Sequence, residues 1–113
     1  MAKKIWNSFI FSCQGFQSAF LKEYSFRLEI LAIPFLLLGL YFLEISTFRK
    51  LVMIAMYLFI PCLELLNSAV EKLADRLTTE YDQMIKFVKD AASASVFLSV
   101  IITALIWIAC ICF

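Results

Sequence analysis

The sequence predicts an all-α membrane protein, with three transmembrane helices preceded by an N-terminal amphipathic helix lying in the membrane interface. Three observations carry this expectation. Hydrophobic residues make up 64% of a 113-residue chain, well above the roughly 45–50% of soluble domains. So short a chain has too little interior to hide that excess. Glycine and proline number two each, which disfavours a loop-rich or all-β design. Finally, the apolar residues gather into three runs on the scale of a membrane span, separated by charged segments.

The chain, 1–113, reads as a single membrane domain. Segment 1–26 is the amphipathic surface helix. Its Ile5, Trp6, Phe9, Phe16 and Phe20 recur at helical spacing, with Asn7, Gln14, Gln17 and Lys22 between them, as in a helix lying in the interface plane. No cleavage site follows a compact apolar core, so no removable signal peptide is expected. Span 1 is placed at 28–45, with Glu29 near its start and Pro34 inside. A polar turn leads to span 2 at 51–70, which contains Pro61, Glu64 and Asn67 and continues into a charged segment, 71–90, of helical period. Span 3, at 91–113, has 23 residues and no charge; at ~1.5 Å per residue it covers roughly 34 Å, enough to cross a bilayer.

Orientation follows from the basic residues. Lys3, Lys4, Lys22 and Arg27 precede span 1, and Lys72, Arg76, Lys86 and Lys89 separate spans 2 and 3, against Arg49 and Lys50 alone in the other loop. Eight against two places the N-terminus and segment 71–90 in the cytoplasm of a multi-pass protein.

Several function classes drop out. A net charge of +1 offers no basic field for nucleic acid. The chain has no histidine, and so lacks the commonest general base and transition-metal ligand. Cys110 and Cys112 form a pair without a second pair or a histidine to complete a metal site, and read as small hydrophobes. Gly15 and Gly39 are isolated, which excludes a P-loop or a protein-kinase glycine loop.

What stands out is Glu64, an ionisable group about 13 residues into an apolar run; charge at that depth marks function. Asn67, Glu71 and Asp75 follow at helical spacing, so the four share an arc of roughly 80° on one face. Glu23 and Glu29 sit at the same mouth of span 1, and Lys89 and Asp90 at that of span 3. Such a set suits Mg²⁺ with a polyphosphate. It also suits, in descending order, an ion or drug pathway using Glu64 or interhelical glue, a lone buried glutamate being poor glue because it needs a proton or a cation. The row Ser93, Ser95, Ser99 and Thr103 in span 3 reads as helix packing or a lipid groove.

The run Glu64-Leu65-Leu66-Asn67-Ser68-Ala69-Val70-Glu71-Lys72-Leu73-Ala74-Asp75-Arg76 resembles the signature of the small prokaryotic integral-membrane diacylglycerol kinases. Flanking matches are Glu23, Phe26-Arg27-x-Glu29 and Lys89-Asp90-x-x-Ser93-Ala94. The resemblance implies a homotrimeric helical bundle in the bacterial inner membrane, with sites at subunit boundaries. It implies Mg-dependent transfer of phosphate from ATP to the hydroxyl of diacylglycerol, or of undecaprenol in a closely similar branch. Glu64 is then the general base, and Glu23 and Glu71 the Mg²⁺ ligands. Lys4, Phe11, Glu23, Glu71, Glu80, Tyr81, Asp82, Lys89 and Asp90 would contact ATP. Lys4, Glu29, Glu64, Asn67 and Ser93 would contact the lipid. Phe11, Lys4 and Asp82 stand where relatives often carry tyrosine, arginine and histidine.

Overall fold

A computed structural model describes residues 1–113 as five α-helices and no strand: α1 (Ala2–Lys22), α2 (Tyr24–Leu31), α3 (Ile33–Phe42), α4 (Thr47–Leu77) and α5 (Gln83–Cys112). Three helical stretches are long and apolar enough to cross a membrane: Tyr24–Phe42, Thr47–Leu77 and Gln83–Cys112. Only 8 of 113 residues are buried within the chain. Phe35, Phe97 and Leu105 are 77%, 66% and 62% exposed. Apolar surface on that scale needs lipid or other subunits against it. This is a membrane protein.

The helix boundaries have local causes. α1 ends at Glu23, whose backbone is extended (φ −104°, ψ 112°), so the surface helix and the first span meet at a joint. The first spanning stretch therefore begins at Tyr24, ahead of the apolar run at Leu28. It is divided at Ala32, just before Pro34 in the first turn of α3, because proline has no N–H to give to the preceding turn. Pro61 lies inside α4 without breaking it, a substitution that membrane helices tolerate when neighbours satisfy the freed groups. Ser46 caps α4 by accepting from Arg49 N at 3.2 Å.

Segment 71–90 is not one continuous helix. α4 runs on to Leu77, Thr78 turns extended (φ −162°, ψ 146°), and Asp82 starts α5 by accepting from Met84 N and Ile85 N at 2.9 and 3.0 Å. At 31 residues, α4 is roughly 46 Å long, more than a ~30 Å hydrocarbon core, so one end projects beyond it.

The main packing interface lies between α4 and α5 and is made partly by polar side chains. Trp107 Nε1 donates to Met53 O at 3.0 Å and Thr103 Oγ1 to Met56 O at 3.1 Å. Ser99, Thr103 and Met53 are buried there, whereas Ser93 and Ser95 are exposed. The inner half of the hydroxyl row thus serves close helix approach. At the far end, Arg49 donates to Cys110 O and Phe113 O, each at 3.0 Å. A cation there complements the negative end of the α5 dipole.

α1 folds back beside α2. The Phe16 and Phe26 rings meet edge to face, with centroids 5.2 Å apart, and Phe26 is 1% exposed. Trp6 and Phe9 stack at 5.8 Å and remain open on the apolar side of α1.

Candidate active site

Glu64 is half-buried on α4. It faces α2, where its carboxyl lies within hydrogen-bonding reach of the Glu29 carboxyl. Glu29 Oε2 is buried with no hydrogen-bond partner. Asn67 Oδ1, one turn further along the same face, is likewise buried and unpartnered. Two acceptor-only groups held together repel unless a proton or a cation lies between them. Glu29 is fixed through its backbone too, because the Tyr57 hydroxyl donates to Glu29 O at 2.7 Å.

Further along α4 the stripe becomes exposed at Glu71 and Asp75. Glu23, at the α1–α2 joint, pairs with Lys72 on α4 at 3.1 Å, its side chain 25% exposed. The pair contributes to a groove of about 640 Å³ between α1 and α4. Small residues open that groove: Ser12, Gly15 and Ala19 on α1, and Ser68 and Ala69 on α4. Its size is in the range of small-molecule sites.

A second, shallower cavity of about 440 Å³ forms where α4 turns into α5. Five residues assigned to ATP from the sequence line it together: Glu80, Tyr81, Asp82, Lys89 and Asp90. Lys89 Nζ pairs with Asp75 at 2.5 Å and Lys86 with Asp90 at 2.6 Å. The first pair ties this cavity to the acidic stripe of α4. Lys4 and Phe11 are exposed on α1, and Ser93 is exposed on α5.

No three acids gather around one point within a single chain. Mg²⁺ does not require that, since it is commonly held by one or two carboxylates together with substrate phosphates. A cation, the Lys72 ammonium, already rests on Glu23, one residue from Glu71. Two carboxylates are donor chemistry that Mg²⁺ accepts, with phosphate oxygens completing its shell.

Sequence reasoning missed three participants. Tyr57 lies seven residues before Glu64 and so shares its helix face, a signal that was available from spacing alone. Lys72 sits inside the acidic run but was read only for its contribution to orientation. The capping role of Asp82 was visible as an acid just ahead of a helical segment.

Three bilayer-length helices define an integral membrane protein, and the acid pair between its first and second spanning stretches lies on the same face of α4 as Asp75, which meets the Lys89 cavity. Comparison with known proteins narrows the class. The sequence pattern of the family described as prokaryotic diacylglycerol kinase matches residues 10–111. The diacylglycerol kinase of Haemophilus influenzae is 40% identical over 101 residues, covering 89% of this chain and 86% of that relative. That of Pseudomonas aeruginosa is 34% identical over 105 residues, covering 93% and 85% respectively. The Helicobacter pylori (strain 26695) diacylglycerol kinase is 31% identical over 106 residues, covering 93% and 82%. The chain belongs to the prokaryotic diacylglycerol kinase family.

Proposed function

We propose that this chain is an ATP-dependent lipid kinase that transfers the γ-phosphoryl group of ATP to the hydroxyl of diacylglycerol, giving phosphatidic acid and ADP. The observation that carries the chemistry is the Glu29–Glu64 pair, half-buried between α2 and α4 at one end of a stripe that reaches the Lys89 cavity through Asp75. Family membership favours this reading over an ion or drug pathway through Glu64.

In the proposed reaction the lipid hydroxyl oxygen bonds to the γ-phosphorus as the bond from that phosphorus to the bridging oxygen breaks. The hydroxyl proton passes to Glu64, and ADP leaves with the bridging oxygen. Glu64 stands where an acceptor hydroxyl just below the headgroup plane can meet it. Glu29 beside it gives the incoming proton a second acceptor, so one proton between the two acids converts a repulsion into a hydrogen bond. Asn67, one turn further along the same face of α4, carries a carbonyl oxygen without a partner. Glu71 lies seven residues beyond Glu64, roughly 10 Å along the axis, on the side where nucleotide arrives. Glu23 and Glu71 would hold Mg²⁺, which would supply charge neutralisation to the phosphates. Phosphoryl transfer needs positioning and neutralisation more than covalent catalysis, so this site works without a glycine loop.

The assembly is a homotrimer in the bacterial inner membrane, with the N-terminus and the α4–α5 turn in the cytoplasm. The exposed flanks of the three spanning stretches support association, and the distribution of basic residues supports the orientation. Lys4, Phe11 and Ser93 are exposed within one chain and so are open to contact with ATP, lipid or a neighbouring subunit.

The test is transfer of labelled phosphate from Mg-ATP to lipid by purified protein in mixed micelles, with diacylglycerol and undecaprenol supplied in parallel. Label in phosphatidic acid is expected. Label chiefly in undecaprenyl phosphate would move the chain to the other branch. No lipid labelling, together with ion flux dependent on Glu64, would replace the kinase reading with transport.

A further inference from the structure

We propose that Tyr57 is a positioning residue for phosphoryl transfer, its hydroxyl holding the Glu29 backbone so that the Glu29 carboxyl meets that of Glu64. This rests on the reading of Glu64 as the proton acceptor. Tyr57 and Glu64 lie seven residues apart on α4, about two turns, and so point in nearly the same direction some 10 Å apart. Both meet one residue of α2. The Tyr57 hydroxyl donates to the Glu29 carbonyl at 2.7 Å, while the Glu29 carboxyl reaches Glu64. Glu29 therefore meets one face of one helix at two points, held there by the Tyr57 hydroxyl at its carbonyl.

The need for such a tether follows from the construction of α2. It runs eight residues from the Glu23 joint to an interruption at Ala32, where the chain stays right-handed helical (φ −74°, ψ −18°) and continues into α3, so its weak point is the last turn, ahead of Pro34. At its start it is tied to α4 by the Glu23–Lys72 pair. Without Tyr57 nothing polar would tie down its last turn, where helix carbonyls lack full intrahelical partners and Pro34 withholds an N–H. A roll of α2 by a few tens of degrees would swing the Glu29 carboxyl away from Glu64. The hydrogen bond is made to the backbone, so it fixes the roll of the helix rather than one rotamer.

Tyr57→Phe removes the hydroxyl and keeps the ring. In the mixed-micelle assay with diacylglycerol, kcat should fall about three- to tenfold, the effect of one lost hydrogen bond, with KM for ATP unchanged. The decisive comparison is a double-mutant cycle with Glu29→Gln, or with Glu29→Asp should turnover of the glutamine variant be too low to resolve. With the Glu29 carboxyl altered, Tyr57→Phe should have less than about a twofold further effect, because coupled residues are non-additive. An undiminished effect in that background would show that Tyr57 merely packs, and would overturn the proposal. So would a lowered melting midpoint in micelles with kcat unchanged. Lipid phosphorylation by the wild-type protein in the same assay secures the underlying reading; its absence would sink both.

Discussion

Replacing Glu64 by glutamine tests the site most directly, because the structure predicts opposite effects on turnover and on stability. The substitution preserves side-chain size and removes the capacity to take a proton. Loss of a positioned general base costs about 10²- to 10⁴-fold in rate, so kcat for lipid phosphorylation should fall by that much. ATP binding should be nearly unchanged, since Glu64 lies apart from the Glu80–Asp82 and Lys89 cavity. Stability should not fall. Glu29 Oε2 is a buried acceptor without a donor, and the new amide can donate to it. One such bond is worth about 0.5–1.5 kcal/mol net, and the carboxylate repulsion is removed as well. Glu64→Gln should therefore melt at the same or a slightly higher temperature in micelles. Steady-state phosphoryl transfer, nucleotide titration and thermal melting together give the answer. Turnover within tenfold of wild type, or loss of ATP affinity in step with activity, would refute the assignment of Glu64 as base. A clear drop in melting temperature would refute the geometry of the acid pair.

Three further outcomes are expected. Glu23→Ala and Glu71→Ala should each raise the Mg²⁺ concentration needed for half-maximal activity, and an unchanged metal titration would remove that residue from the ligand set. Asp82→Ala should cost about 1 kcal/mol by uncapping α5, and Asp82→Asn should recover most of it; equal losses in thermal melts of the two variants would mean that the cap contributes little. Brief crosslinking of the protein in native membranes should yield species up to a trimer and none larger, whereas a monomer active on its own would end the shared-site idea.

Much of the architecture was legible from one-dimensional pattern. Apolar run length identifies a spanning segment regardless of partner, because lipid is the solvent and the ~30 Å core is a fixed length. The face shared by Glu64, Asn67, Glu71 and Asp75 follows from 3.6-residue periodicity alone, and the family signature lies on that face. Boundaries were less legible. The apolar run at Leu51 begins four residues inside α4, which starts at Thr47, because the Ser46 cap lies in the polar turn. The break at Thr78–Asp82 was hidden by charges whose spacing continues the helical period across it.

The sequence by itself determined that the chain is helical and lives in a membrane, and that acids climb one face of its second spanning helix. These properties depend on composition and on the period of a single helix. Only the tertiary structure decided which residues meet across helices: Glu29 against Glu64, Tyr57 beneath them, Lys72 on Glu23, Lys89 on Asp75. Pairings of that kind depend on how each helix is rotated about its own axis. That rotation is set by neighbours such as Trp107 and Thr103 bonding to backbone carbonyls of α4, and no pattern internal to one segment encodes it.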